Sequence, residues 1–188
     1  MFNTDRFIEE CRKALSDPIP HIALKEVVER AVSEPSAVER ALGPFTEGVV
    51  QSLYRADDLT VLNIVWPSNF TIFPHNHNIW AVIGVYGGQE DNIFYGRREG
   101  GVGLDRLNGQ TLMSKDTLAL GDRVIHSVTN PSRLLTPAIH VYGGDFFAVD
   151  RSEWGTPEAF EEPYDTKHLM QALRDGNERA KELRAEEA

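Results

Sequence analysis

The sequence predicts an all-β barrel or sandwich with helices at both ends, and three observations carry that prediction. From about residue 47 to residue 149, short β-branched and aromatic runs alternate with turn signals. Before residue 45, apolar residues recur at helical spacing instead. After Arg151 the composition shifts, and the last dozen residues are charged and alanine-rich. The chain therefore divides into an N-terminal helical region (1–45), a β barrel (46–151) and a C-terminal helical tail (152–188).

Phe7, Ile8, Cys11, Ala14 and Leu15 recur at helical spacing until Asp17-Pro18 interrupts them. Leu24, Val27, Val28, Ala31 and Val32 mark a second helix. A third, short one starts near Pro35 and stops at Gly43-Pro44, a helix-ending signal. These helices are expected to cover one side or an open end of a sheet. His21, after Pro20, reads as structural or solvated.

From Glu47 the period changes. Val49 to Arg55 reads as a strand, Ala56-Asp57-Asp58 as a turn and Leu59 to Trp66 as a second strand. Pro67-Ser68-Asn69 turns the chain into Phe70-Thr71-Ile72-Phe73. Further strands are expected at Asn78–Tyr86, Asn92–Tyr95, Val102–Leu104, Thr117–Leu120, Val124–Val128, Pro137–Tyr142 and Phe146–Val149. Beyond them, Pro157–Phe160 is expected to form one helical turn, and Thr166 to cap a helix through Leu173. Residues 177–188 are expected to form a solvated, partly frayed helix, and His168 to lie on the surface. No internal repeat is evident.

The 188 residues suffice for one domain with a sizeable core. No apolar run approaches the roughly 18 residues that suggest a membrane span. Met1-Phe2-Asn3-Thr4-Asp5-Arg6 opens no apolar signal segment, so a cytoplasmic protein is expected, with no membrane partner. Cys11 is the single cysteine, which forbids an internal disulfide, and it reads as a small buried apolar residue. A net charge of -10 argues against non-specific binding to nucleic acid or acidic membranes. The sequence does not settle an oligomeric state.

Chemistry concentrates at Pro74-His75-Asn76-His77. On an extended strand His75 and His77 point to one face, because side chains alternate with period 2. Two adjacent imidazoles can hold one metal ion, or they can be a pair of surface histidines at a strand start. Gly87-Gly88 ends the apolar run that follows. The β region holds four of the six histidines: His75, His77, His126 and His140. Neutral imidazole is a common ligand for first-row metals.

His-x-His, an apolar strand ending in glycine, and then Gly121-x4-His126-x3-Asn130 resemble the two motifs of the cupin superfamily. That resemblance implies a double-stranded β-helix, or jelly-roll barrel, with a metal inside it. It implies His75 and His77 as ligands from the first motif and His126 from the second. The glutamate that most metal-binding cupins add has no counterpart at Asn78–Val82, and Glu90 and Asp91 lie past the expected end of the strand. The implied site is three neutral histidines. Such a site leaves a divalent ion its charge, with open positions for an anionic ligand and oxygen together.

Within the superfamily, the chain resembles the thiol dioxygenases, meaning cysteine dioxygenase and 3-mercaptopropionate dioxygenase. The resemblance covers roughly residues 47–151. His75-Asn76-His77-x-x-Trp80-Ala81-x-Ile83-Gly84 looks like the bacterial first motif, and His126-x-Val128-x-Asn130 like the second. Ala138-Ile139-His140-Val141-Tyr142 resembles the family's Ser-x-His-x-Tyr relay, with alanine in the place of serine. The resemblance implies Fe(II) as cofactor, a small-molecule thiol and O2 as partners, and a sulfinate product. His140 is then either a ligand or a hydrogen-bonding partner of tyrosine or substrate, and the resemblance favours the partner. The usual cysteine–tyrosine crosslink cannot form with Cys11. The substrate carboxylate calls for an arginine. Arg151 lies nine residues after Tyr142, as in the mercaptopropionate enzymes, and Arg55 beside Tyr54 is the second candidate; Arg97 and Arg98 are weaker ones. The rival readings are a three-histidine cupin oxygenase acting on carbon and a non-catalytic ligand-binding cupin.

Overall fold

The computed structural model describes residues 1–186. Helix α1 (Thr4–Ala14) is capped by Asn3, whose side chain accepts from the Arg6 amide at 2.9 Å. Helices α2 (Pro20–Val32) and α3 (Pro35–Leu42) each begin on a proline, which loses no helical hydrogen bond there. Gly43, at φ +94°, ends α3 in a conformation few other residues adopt.

Nine strands then follow: β1 (Val49–Arg55), β2 (Thr60–Trp66), β3 (Phe70–Asn76), β4 (Ala81–Val85), β5 (Gln89–Arg97), β6 (Leu104–Met113), β7 (Thr117–Leu120), β8 (Ile125–Asn130) and β9 (Thr136–Tyr142). The short β10 (Ser152–Glu153) and β11 (Glu162–Pro163) precede helix α4 (Thr166–Glu186). One sheet has the order β1-β2-β9-β4-β7 and the other β11-β10-β3-β8-β5-β6. All the pairings are antiparallel. From β2 to β9 the chain alternates between sheets except at the β5–β6 hairpin, giving four strands to each. That is the strand order of a jelly roll.

The five-stranded sheet is covered on both faces, so β2, β4 and most of β9 are buried throughout. Leu62, Ile64, Ile83 and Tyr142 face the barrel interior with Ile72 and Val128 of the other sheet. Val61, Val82, Ile139 and Val141 face outward, against Phe7, Cys11, Leu24 and Val28 of the helices. Gly84 lets α2 approach: a Cβ there would stand 2.3 Å from Val28 Cγ1. The helices thus cover a sheet face, and four helices hold more than a quarter of the chain. "All-β" therefore describes the barrel and not the whole molecule.

Five local expectations are corrected. Phe146–Val149 is a turn, not a strand. Asp145 Oδ1 accepts from the Phe147 amide, and its carbonyl accepts from Ala148 and Val149, so local bonds replace a sheet ladder. Strand β6 runs to Met113, well past the expected Val102–Leu104. It is an edge strand exposed along most of its length, so no apolar alternation marks it. Pro157–Phe160 forms a turn rather than a helical turn. Helix α4 is continuous through Gly176, where a Cβ would crowd Phe70 and Pro67; that glycine permits close packing instead of breaking the helix. The cap of α4 is Asp165, whose Oδ1 accepts from the Lys167 amide at 2.8 Å. Residues 187 and 188 of the expected tail lie outside the described residues. Among the described residues, no helix is long and apolar enough to cross a membrane.

Candidate metal centre

A bulge on β3 decides what faces the barrel interior. Ile72 pairs with Val128 and His75 with His126, so three steps on β3 oppose two on β8. Phe70 and Ile72 already point inward. The extra residue shifts the parity, so His75 and His77 point inward too, rather than Pro74 and Asn76. Pro74 has no N–H to lose from the ladder. Just beyond the strand, Asn78 adopts φ +52° and donates from Nδ2 to the Asp150 carbonyl at 2.8 Å.

His75, His77 and His126 are all buried, and their ligand-capable nitrogens lie within 4.8 Å of one another. His77 Nε2 and His126 Nε2 are 3.0 Å apart. Metal–nitrogen bonds of about 2.0–2.1 Å need donors about 3.0–3.4 Å apart, which this pair satisfies. His75 Nδ1 donates to the Phe73 carbonyl at 3.0 Å, and His126 Nδ1 lies 2.7 Å from Asn92 Oδ1. Both rings therefore turn Nε2 toward the cluster. His77 Nδ1 is buried without a partner. Burial is the main force holding the rings neutral: it brings His75 down to about 4 and drives His77 and His126 well below the usual range. Neutral imidazole is the ligating form. The donor set fits a divalent first-row ion.

Beside the cluster, Ala138, His140 and Tyr142 share the inner face of β9. His140 Nδ1 is 3.2 Å from the Tyr142 hydroxyl. His140 is not part of the three-histidine cluster, and its Nε2 has no hydrogen-bond partner. Burial lowers its pKa to about 3. The Tyr142 ring lies 5.1 Å from that of His77, and burial raises its hydroxyl pKa far above the usual value.

The four candidate arginines separate clearly. Arg55 is bidentate to Asp145 at 2.8–3.1 Å on the surface. Arg97 pairs with Glu161 and Arg98 with Asp105. Arg151 is buried at 8% exposure, with its guanidinium 3.9 Å from the Phe146 ring centre and 4.0 Å from that of Tyr164. Its Nη1 has no partner, and among the described residues no carboxylate forms an ion pair with it. Burial pulls its pKa down.

The cavity at the cluster is about 20 Å³, enough for one water-sized body. It is lined by the four histidines and Tyr142, with Trp66, Phe146, Tyr164 and Leu169 among its walls. Tyr164 and Leu169 come from the C-terminal region. Buried Glu153 ties that region down: it pairs along the backbone with His75, accepts from the Asp165 amide at 3.1 Å and contacts His168 Nδ1. His21 lies away from this site, on α2, with its ring 6.4 Å from that of Trp80.

Sequence reasoning missed Glu90 and Asn92. Both are fully buried on the inner face of β5. Glu90 Oε2 accepts from Trp66 Nε1 at 2.7 Å, and Oε1 accepts from Asn92 Nδ2 at 2.9 Å. Glu90 reads as lying beyond a strand end because the chain does turn at Gly87-Gly88, but the chain re-enters the barrel in the opposite sheet. The spacing of Glu90, Asn92 and Phe94 was the available signal, disguised because two of the three inward residues are polar.

No family model matches the chain, and no curated protein matches it by sequence. Similar solved structures include one from Bacillus halodurans, 12% identical, covering 77% of this chain and 91% of its own, with a TM-score of 0.48. Another is an RmlC-like cupin family protein with a double-stranded beta-helix fold from Methanocaldococcus jannaschii. It is 12% identical, with 55% and 85% covered and a TM-score of 0.45. A third is a cupin superfamily protein from Desulfitobacterium hafniense, 11% identical, with 55% and 83% covered and a TM-score of 0.43. These likenesses concern shape alone, and the strand order itself establishes the jelly roll. The chain is a double-stranded β-helix with a buried three-histidine cluster suited to a metal ion.

Proposed function

We propose that this protein is an Fe(II)-dependent thiol dioxygenase that oxidises a small thiol acid to its sulfinate. One juxtaposition carries the reading: a neutral three-histidine set beside a buried arginine with no carboxylate partner. Arg151 feels the charge of Glu153 but leaves Nη1 without a partner, and an incoming carboxylate offsets the cost of burying that open donor. Arg151 would take the substrate carboxylate through its open Nη1, the Phe146 and Tyr164 rings holding the guanidinium flat. His75, His77 and His126 would hold the ion. Bound there, iron would bring thiolate and oxygen into proximity and favour the thiol's loss of its proton. Both oxygen atoms of O2 end on sulfur, which gives up four electrons to them, and the acid proton balances as RSH + O2 → RSO2H. Tyr142, steadied by His140, would hydrogen-bond the reacting group, and Trp66 and Phe146 would exclude water. The cavity is smaller than any thiol acid, so its walls must yield to admit one.

Ala138 favours a second reading. Without the relay hydroxyl, the same histidines would suit an oxygenase acting on carbon.

The test is oxygen uptake by Fe(II)-loaded protein with cysteine, 3-mercaptopropionate and mercaptosuccinate, with His126→Ala as control. Uptake with one thiol, a sulfinate product and loss in the control are expected. Bound metal without uptake across the panel overturns the thiol reading and moves it to carbon. Ligand binding without turnover points to a non-catalytic cupin.

A further inference from the structure

We propose that Glu90 is a positioning residue for the metal centre: its carboxylate orients the Asn92 amide and, through it, sets the ring tautomer that makes His126 a ligand. This rests on the metal-centre reading and is independent of the thiol chemistry.

The inference begins at Trp66. Its indole Nε1 can only donate, so Glu90 Oε2, 2.7 Å away, must accept. As long as Glu90 is a carboxylate, its other oxygen, Oε1, accepts from Asn92, whose Nδ2 lies 2.9 Å away. With its NH2 group turned to Glu90, the Asn92 amide presents Oδ1 to His126 Nδ1 at 2.7 Å. An amide oxygen can only accept, so Nδ1 must carry the ring proton. The Nε2 lone pair of His126 is then free to face the cluster. Nothing on the cluster side makes that choice. The opposing His77 Nε2 at 3.0 Å is another imidazole nitrogen, able to donate or accept. All of these groups are buried, so water cannot substitute for a wrong partner. With Glu90 ionised, which its two accepted hydrogen bonds favour and its burial opposes, four groups in line, from a donor-only indole to a ligand nitrogen, admit one proton arrangement.

Glu90 has a third neighbour. Its Oε2 is 3.9 Å from His140 Nε2, the buried nitrogen without a partner. That is beyond hydrogen-bond distance, so the oriented chain runs to His126 and not to His140.

The chain makes an unusual prediction for a change of one atom. In Glu90→Gln, the glutamine oxygen takes the Trp66 donor and its NH2 group faces Asn92. The Asn92 amide then turns over and donates to His126 Nδ1. The ring proton moves to Nε2, and the ligand lone pair is lost from the cluster. Adding Asn92→Asp repairs this, because a carboxylate accepts from both the glutamine NH2 and His126 Nδ1–H.

Two readouts test it. Ring 15N shifts of the metal-free protein report the tautomer of His126, and titration with Co(II) alone, followed by visible absorption, reports the site. The wild type is expected to carry the proton on Nδ1 and to bind Co(II). Glu90→Gln is expected to move the proton to Nε2 and to weaken Co(II) binding by about 10–100-fold. The double variant Glu90→Gln/Asn92→Asp is expected to restore both. A packing role alone would not produce that rescue, because the double variant is further from the native side chains. Wild-type His126 protonated at Nε2 overturns the inference, and so does unchanged Co(II) affinity in Glu90→Gln or failure of the double variant to recover. If Glu90→Gln does not fold, Asn92→Leu tests the same chain, and unaltered Co(II) affinity there overturns the proposal. A wild type that binds no Co(II) removes the metal reading and this inference together. A wild type that binds Co(II) but oxidises no thiol removes only the proposed function.

Discussion

The two faces of the five-stranded sheet are both buried, yet they hold opposite chemistry. The outer layer, under α1–α3, is nearly all apolar: Leu24, Val28, Val32, Val61, Val82, Ile139 and Val141 pack there with Cys11. Cys11 is so enclosed that its thiol is pushed up to about 12, beyond ordinary reactivity. The main polar contact there is Tyr86 donating to Asn63 Oδ1 at 2.7 Å. The inner layer holds four histidines, Glu90, Asn92 and Arg151. Strand β9 shows the contrast within one segment: Ile139 and Val141 face out, His140 and Tyr142 face in. One face is built for cohesion. The other carries polar groups whose burial costs stability unless each is partnered.

Acid should break the comparison hardest. The buried histidines titrate near the usual 6.5 when unfolded, but at about 4 for His75 and about 3 for His140 when folded. Below pH 6.5 the unfolded chain binds more protons, so stability falls as pH falls, down through those folded values. Each such histidine contributes a slope of up to about 1.4 kcal/mol per pH unit. The metal-free protein is therefore expected to lose several kcal/mol between pH 7 and pH 5, read from urea midpoints. Equal midpoints at the two pH values would mean the histidines charge in place, and that the inner layer is wet.

The outer layer answers to volume instead. Leu24→Ala is expected to cost about 2–5 kcal/mol at neutral pH, because Leu24 is fully buried. Stoichiometric Co(II) binding should survive in the folded fraction. Loss of the metal site with little loss of stability would show the two layers to be coupled.

The smallest effect belongs to the surface tie between α4 and β10. Exposed His168 has its pKa raised by its hydrogen bond to Glu153. Its contribution is present below the unfolded value and is lost as pH rises through the folded one. His168→Asn should slightly lower the urea midpoint at pH 6 and leave it unchanged at pH 9. A deficit that persists at pH 9 would assign the contact to packing rather than charge.

Much of the architecture is local, and so was legible. Leu24, Val27, Val28, Ala31 and Val32 repeat at helical period, and α2 contains them all. Val49–Arg55 reads as a strand and is one. Where the apolar pattern misleads, other contacts decide. The apolar run from Phe146 lies in a turn held by local bonds to Asp145. The exposed β6 carries no period to read.

The sequence by itself determined the helix and strand periods and the His75/His77 pairing, because each depends on residues a few positions apart. It also supplied Gly121-x4-His126. Only the tertiary structure decided which arginine stands buried beside the cavity, since Arg55 and Arg151 differ in what meets them and not in kind. The fold also brought Asn92 to His126 across 34 positions and Trp66 to Glu90 across 24. Those bonds exist because the chain leaves one sheet at Gly87-Gly88 and returns in the other. Linear spacing does not encode that return, and burial then makes every polar contact it creates obligatory.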